Sequence, residues 1–296
     1  MTSDLKNIRA AALYLSKTEL PFDLVSAVDE LNKQIKLEFD FAREARVMDR
    51  IAQHLAPLSS RITVPRSVPG LVSKRLLVMQ FIEGVPLLDL HSRVLQLSEA
   101  QRKVAKRRIL SRVAEAYGHM ILGEGLFQAD GHPGNILVGK GARIGLLDYG
   151  QSKQLTPEQR LGLAQLILQL HKNASEEAVS KALADVGVAT ARDDVPLRAE
   201  MAFGMFDTRG KINPFDPNSP IKKCAITAFP PDLFFVLRVV QLLRGMASGM
   251  GISDFSSASQ WAPLARTALA SGGADSSSSS AGGRRWGWGC LTPWRR

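Results

Sequence analysis

The sequence has few of the features that characterise disulfide-stabilised or membrane-spanning proteins. Only two cysteines, Cys224 and Cys290, occur among 296 residues, and they lie far apart. This number argues against a disulfide framework, favours a reducing compartment and predicts no disulfide-linked partner. The most apolar stretch, residues 233–252, is interrupted by Arg238 and Arg244, whereas a membrane span needs about 20 mostly apolar residues.

The amino terminus, MTSDLKNIRA, has no apolar signal-peptide core. Helical periodicity begins there almost at once, which predicts a chain that starts inside a domain. The formal net charge of +10 is compatible with nucleotide phosphates, anionic lipid or nucleic acid as partners, and it does not select among them. A basic run at residues 101–112 has no interleaved aromatic side chains, so we expect no nucleic-acid partner.

Apolar periodicity and turn residues predict the order of the elements. We expect helices at 3–17, 22–55 and 98–123, the last capped by Ser98, and mainly helical structure from 157. Strands are expected at 62–68 and 75–82, with a turn at Pro69-Gly70, and a hairpin is expected at 135–138 and 143–147. This order is typical of a two-lobed α+β protein with a cleft between the lobes. We expect lobes at 1–83 and 84–252, and a flexible low-complexity tail at 253–296.

The chemistry is concentrated in Asp130-Gly-His-Pro-Gly-Asn135 and in Asp148-Tyr149-Gly150. Protein kinases place a catalytic Asp five residues before an Asn, followed by a metal-binding Asp ahead of an aromatic residue and Gly. A D-x-x-x-x-N pattern alone is common and would indicate turn caps. Followed by a hairpin and D-Y-G, it predicts Asp130 as the proton acceptor and Asn135 with Asp148 as ligands of Mg²⁺ (or Mn²⁺), with Asn135 also at the ATP phosphates.

Two weaker features would complete such a site. Kinases need a helical Glu in the small lobe to hold a strand Lys, and Glu38, with Asp40 two residues later, is our candidate. The alternative is a solvated helix with Glu/Arg pairs. The apolar run ending at Gly84 is typical of a hinge, so Met79, Gln80 and Phe81 are predicted to contact adenine, although an ordinary core strand has the same pattern.

Together these motifs resemble the UbiB/aarF-domain-containing (ADCK) atypical kinases. The similarity covers about residues 3–252, through four motifs: Glu38-Phe39-Asp40 with Arg43-Glu44-Ala45, residues 78–84, residues 130–135 and Asp148-Tyr149-Gly150. It implies a two-lobed protein-kinase-like fold with a mainly helical C-lobe. It also implies ATP and Mg²⁺ as cofactors, and a role in isoprenoid quinone metabolism at a lipid or membrane surface of a plastid or mitochondrion. Glu38, Asp40 and Asp130 are implied as catalytic residues.

The sequence departs from the family pattern in two ways. Gln128 stands where His is usual, and Gly131 stands where Pro is usual; neither is a metal ligand, so we expect altered geometry rather than loss of the site. The family's Ala-rich nucleotide loop, V-A-x-K strand and K-x-G-Q extension would lie before Met1, which predicts an incomplete N-lobe and either a truncated chain or a short paralogue. Two main readings stay open: an atypical kinase or ATPase, and a nucleotide-binding pseudokinase or scaffold without turnover. A basic binding module is the third.

Overall fold

The computed structural model describes residues 40–90, 97–210 and 219–278. The helix expected at residues 3–17 and most of the one expected at 22–55 lie outside these ranges. The described helices are α1 Phe41–His54, α2 Glu99–Gly118, α3 Pro157–Lys172, α4 Glu176–Asp185, α5 Val195–Phe206, α6 Pro220–Lys223, α7 Pro231–Gly249 and α8 Ser257–Ser278. The strands are β1 Ile62–Thr63, β2 Ser67–Val72, β3 Leu77–Met79, β4 Val85–Pro86, β5 Leu126–Gln128, β6 Ile136–Val138, β7 Ile144–Leu146, β8 Ser152–Gln154, β9 Ala189–Thr190 and β10 Ile226–Ala228.

Small sheets precede a helical second half, so the α+β prediction is confirmed. The largest sheet has the order β1-β7-β6-β4, with β6 and β7 antiparallel and Ile136 opposite Leu146. This is the hairpin that the sequence predicts. The strand expected at 62–68 is divided, because Ile62 and Thr63 pair in parallel with β7 instead of with β3.

The turn expected at Pro69-Gly70 is wrong. Both residues lie inside β2, where Gly70 takes a positive φ of 80° and the register with β3 shifts. The chain reverses after β2, where the Ser73 N–H donates to the Leu76 carbonyl at 2.8 Å. Ser73 Oγ also accepts from Leu76 N–H, so a serine-based turn competes successfully with the Pro-Gly signal.

Helix α2 begins as predicted. The Ser98 hydroxyl accepts from Gln101 N–H, and the Gln101 side chain accepts from Ser98 N–H, which forms a capping box. The helix continues as one π-helical segment, His119–Glu124, and ends at Gly125 with a φ of 72°. Its carboxyl half is buried, so it lies in the core beneath the loop that carries Asp130.

The flexible tail expected from residue 253 is wrong in its first part. Helix α8 occupies residues 257–278, and Ala258, Trp261 and Ala265 are fully buried. The Trp261 indole N–H donates to the Ala114 carbonyl of α2 at 2.7 Å. The Ser/Gly/Ala composition indicated disorder, but the apolar residues at helical spacing before it provide a face that packs on α2 and α3. Residues 279–296 lie outside the described ranges.

Across the described ranges, none of the helices combines enough length and apolarity to cross a membrane. The expected lobe boundary near residue 84 stays a prediction.

Candidate active site

The β6–β7 hairpin brings Asn135 and Asp148 together. Asn135 immediately precedes β6, and Asp148 follows β7 by two residues. The Leu147 N–H donates to the Asn135 carbonyl at 2.9 Å, which extends the ladder to the end of the hairpin. The Asn135 amide then donates to Asp148 Oδ2 at 3.3 Å. The predicted proximity is therefore present, while the metal-ligand roles of both residues stay predictions.

Asp148 has a strained backbone. Its φ of 66° lies in the left-handed region, which non-glycine residues seldom adopt and which costs about 1–3 kcal/mol. The Gly150 N–H donates to Asp148 Oδ1 at 3.1 Å and holds this carboxylate in place. Asp148 is exposed between the half-buried Leu147 and the fully buried Tyr149, so its carboxylate faces outward while the residue that follows it is anchored in the core.

The donor set fits a magnesium ion that also binds phosphate. Mg²⁺ prefers oxygen ligands, retains several waters and usually takes only one or two protein ligands when substrate phosphates supply the others. The described residues contain no group of three or more His, Cys, Asp or Glu side chains that could hold a metal ion. Because the Asn135 amide nitrogen faces Asp148, the amide has to rotate to present its oxygen to an ion.

Helix α1 forms hydrogen bonds with the backbone that follows Asp148. The Tyr149 N–H donates to Glu44 Oε1 at 3.0 Å, and the Arg43 guanidinium donates to the Gly150 carbonyl at 3.0 Å and to the Ser152 carbonyl. The sequence proposed Glu38 as the helical acid of the site, and Glu38 lies outside the described residues. Among the described residues, Glu44 of α1 is an acid that contacts this loop, while the role of Glu38 stays a prediction. Its signal in the sequence was the Arg43-Glu44-Ala45 motif, to which no role was given.

The described contact of Asp40 is local, and its predicted catalytic role stays a prediction. It is the N-cap of α1, where its side chain accepts from the Arg43 N–H at 3.0 Å. In the described structure none of its hydrogen bonds reaches Asp130, Asn135 or Asp148. Its observed contribution is therefore to begin the helix that carries Glu44.

Burial raises the pKa of Glu44 above its ordinary value of 4.5. The Tyr149 N–H and Arg43 lower the pKa, while the charge of Asp148 raises it, and burial is the largest of these effects. Among the described residues no Lys or Arg forms an ion pair with Glu44.

Asp130 pairs with a cation that the sequence did not predict. Arg238 Nη2 of helix α7 lies 2.9 Å from Asp130 Oδ1, and both side chains are partly exposed. In the sequence Arg238 was only an interruption of an apolar stretch. The two residues are 108 positions apart, so helical periodicity carries no signal for this contact.

The buried side chain of Gln128 connects the end of β7 with the loop that carries Asp130. Its buried amide nitrogen donates to the Leu147 carbonyl, next to Asp148, and to the Asp130 carbonyl at 3.3 Å. Its oxygen accepts from the Tyr117 hydroxyl at 3.3 Å. Gln128, which stands where the family pattern has His, therefore connects the end of β7 with the loop that carries Asp130, and the altered geometry expected from the sequence stays a prediction.

The second departure, Gly131, also has a steric cause. A Cβ at residue 131 would lie 2.0 Å from the Tyr117 hydroxyl and 2.7 Å from Leu242 Cδ2. The fully buried Tyr117 ring thus occupies the space that a proline would need. Burial, together with the charge of Asp130, raises the pKa of Tyr117, so its hydroxyl stays protonated as a donor to Gln128.

The hinge residues lie beside the hairpin but are not enclosed. Met79 ends β3 and is 41% exposed, and Phe81 is 86% exposed. The Gln80 N–H already donates to the Arg66 carbonyl at 2.8 Å, so it is not free for adenine. The connector that follows packs on the hairpin, because a Cβ on Gly84 would lie 2.9 Å from Leu137 Cβ. The adenine contacts of Met79, Gln80 and Phe81 stay predictions.

Comparison with known proteins shows which family the chain resembles. The chain is 33% identical over 150 residues to mouse AarF domain-containing protein kinase 1, covering 49% of this chain and 27% of that one. It is 28% identical over 199 residues to the Arabidopsis thaliana protein ACTIVITY OF BC1 COMPLEX KINASE 8, chloroplastic, covering 65% of this chain and 25% of that one. The chain spans about a quarter to two fifths of the length of the curated relatives it matches.

The fold has a solved counterpart in Rv3197 from Mycobacterium tuberculosis, determined in complex with erythromycin. The similarity has a TM-score of 0.59 at 18% identity and covers 86% of this chain and 69% of that one, which shows the fold alone. The profile of the ABC1 atypical kinase-like domain matches residues 1–182, more than half of the chain. The resemblance to aarF-domain-containing kinases is thereby confirmed, and the chain belongs to the ABC1 atypical kinase-like family.

Proposed function

We propose that the protein binds ATP with Mg²⁺ or Mn²⁺ and acts as an atypical kinase or ATPase. The observation that carries this proposal is the 3.3 Å contact of Asn135 with Asp148 at the end of a rigid hairpin, beside the loop of Asp130. Two oxygen ligands from one hairpin suit a hydrated cation that also binds phosphates. The bound ion would offset the phosphate charge, and Asp130 would take the proton of the attacking hydroxyl or water.

Glu44 and Gln128 support this site as positioning residues. Glu44 fixes the Tyr149 backbone, one residue after the proposed metal ligand. Gln128 fixes the Leu147 carbonyl, one residue before it, and also the catalytic loop. Holding a strained ligand from both sides limits its motion, which metal and phosphate sites need for precise geometry.

The decisive experiment is a thermal-shift titration with Mg²⁺ and ATP. A ligand at 100 times its Kd stabilises a folded protein by about 2.7 kcal/mol, which raises the melting temperature measurably. We expect the wild type to shift and Asp148→Asn to lose the shift. The matched control is Asp185→Asn, an exposed carboxylate paired with Lys181, which should shift like the wild type. An unchanged shift in Asp148→Asn would show that the site is misassigned.

Turnover separates the two readings left open by the sequence. Release of phosphate from ATP that depends on Asp130 would support the kinase or ATPase. Nucleotide binding through Asp148 with no turnover in wild-type protein would instead support a nucleotide-binding scaffold.

We also propose the finer role that the family implies, in isoprenoid quinone metabolism at an anionic lipid surface of a plastid or mitochondrion. Its support is the family membership and the name of the Arabidopsis relative, which contains both BC1 complex activity and chloroplastic. Flotation with liposomes of anionic phospholipid, with and without ubiquinone, tests the lipid partner. Absence of binding to both preparations would contradict it.

A further inference from the structure

We propose that Arg238 binds the terminal phosphate of ATP and stabilises the charge that develops as this phosphate is transferred. The inference rests on the proposed function and assigns to helix α7 a part of the site that the sequence motifs do not contain. It follows from the position of Arg238, from its unused hydrogen-bond donors and from the charges that surround it.

Helix α7 holds Arg238 in a defined place. The neighbouring Val236, Val239 and Val240 are buried, so the helix is packed into the core on that side. Further along, Arg244 donates to the carbonyls of Gly204 and Asp207 and ties α7 to the end of α5. The Arg238 side chain is 41% exposed and reaches Asp130 at 2.9 Å from this fixed base.

Most donors of Arg238 are available to a ligand. A guanidinium has five N–H donors in a planar fork, and the described contacts of Arg238 engage one of them, with Asp130. Arginine binds phosphate oxygens through paired, charge-assisted hydrogen bonds. A phosphate whose acceptor is held by Asp130 would lie beside the same carboxylate, and therefore beside the remaining donors.

The negative charge of the proposed site also favours a cation at this position. Asp130, Asp148 and the ATP phosphates are all negative, and among the described residues no Lys or Arg forms an ion pair with Asp148 or Glu44. Arg238 is the cation that the described structure places in contact with one of these acidic groups, Asp130. In phosphoryl transfer an arginine in this position offsets charge on the equatorial oxygens.

The transfer step is balanced without a further reactant. The acceptor hydroxyl or water oxygen forms a bond to the γ-phosphorus while the bond from that phosphorus to the bridging oxygen breaks. ADP leaves with the electron pair of the broken bond, and Asp130 takes the proton of the acceptor. Arg238 gives up no proton; it donates hydrogen bonds to the γ-phosphate oxygens throughout.

The test compares ligands that differ only in the terminal phosphate. Mg²⁺ complexes of a non-hydrolysable ATP analogue and of ADP are titrated by calorimetry into the wild type, Arg238→Ala and Arg238→Lys. We expect Arg238→Ala to weaken the ATP analogue about tenfold, the loss of one charge-assisted hydrogen bond, and to change ADP less than about twofold. Arg238→Lys should recover part of the loss. The control is Arg107→Ala, which removes a surface arginine paired with Asp254 at 2.7 Å.

A double variant separates direct binding from neutralisation of Asp130. If Arg238 acts only by cancelling the Asp130 charge, Asp130→Asn with Arg238→Ala will bind the ATP analogue like Asp130→Asn alone. If Arg238 contacts the phosphate, the double variant stays about tenfold weaker than Asp130→Asn. Equal losses for ADP and the ATP analogue would overturn the inference while leaving nucleotide binding intact. Failure of the wild type to bind either ligand would overturn the proposed function first, and this inference with it.

Discussion

Replacing Gln128 tests whether its side chain holds the end of β7 and the Asp130 loop together. Gln128→Leu keeps a similar volume but removes the bonds to the carbonyls of Leu147 and Asp130 and to the Tyr117 hydroxyl. A buried polar group left without a partner costs about 1–3 kcal/mol. The half-buried Leu147 carbonyl should contribute about 1 kcal/mol, and the fully buried Tyr117 hydroxyl about 1–3 kcal/mol. We therefore expect a loss of about 2–4 kcal/mol in the free energy of unfolding.

Gln128→His is the graded control, because the family pattern favours His at this position. An imidazole can donate to one carbonyl and accept from Tyr117, so it loses one of the three bonds, about 1 kcal/mol. Urea unfolding monitored by circular dichroism gives the midpoints, with the slope m checked for constancy. The thermal shift with Mg²⁺ and ATP should be lost in Gln128→Leu and retained in Gln128→His. A Leu variant within about 0.5 kcal/mol of the wild type, with a normal shift, would refute the bridging role.

Three other changes test separate parts of the structure. Trp261→Ala should lower the free energy of unfolding, measured in urea, by about 3–5 kcal/mol, because α8 packs through this fully buried ring. A loss under about 1 kcal/mol would instead support the flexible tail expected from the sequence. Gly131→Ala should destabilise by about 1–3 kcal/mol through its clash with the Tyr117 hydroxyl, and adding Tyr117→Phe should recover part of the loss. Glu44 binds its proton more tightly in the folded protein than in the unfolded chain, so the free energy of unfolding should fall as pH rises from about 4.5 through the raised pKa. Glu44→Gln should make the free energy of unfolding, measured across that range, less dependent on pH.

Local features of the fold could be predicted because they depend on residues close in sequence. The Ser98 capping box spans four residues, from Ser98 to Gln101, and the β6–β7 hairpin spans eleven, from Ile136 to Leu146. The turn after β2 was mispredicted because Ser73 offered the chain a hydrogen-bonded reversal that Pro69-Gly70 composition does not indicate. The helix at Trp261 was missed because a low-complexity segment follows it and dominated the composition.

The same distinction between residues close in sequence and residues far apart applies to the candidate site. Asp130, Asn135 and Asp148 could be named because a five-residue spacing and D-Y-G are written in one short stretch. Glu44 and Arg238 could not, because their contacts join residues 105 and 108 positions apart. Such contacts depend on how whole helices pack, and a single sequence contains no periodic signal for them.

The sequence by itself therefore determined the kinase-like class of this protein and the hairpin that carries its proposed metal ligands. Both follow from residue type and spacing within a continuous segment. Only the tertiary structure decided which distant groups complete the site. It placed Glu44 beside Tyr149, Arg238 beside Asp130, and Gln128 in contact with both Leu147 and Asp130. Side chains on separate elements meet in this way only when the core packs those elements together.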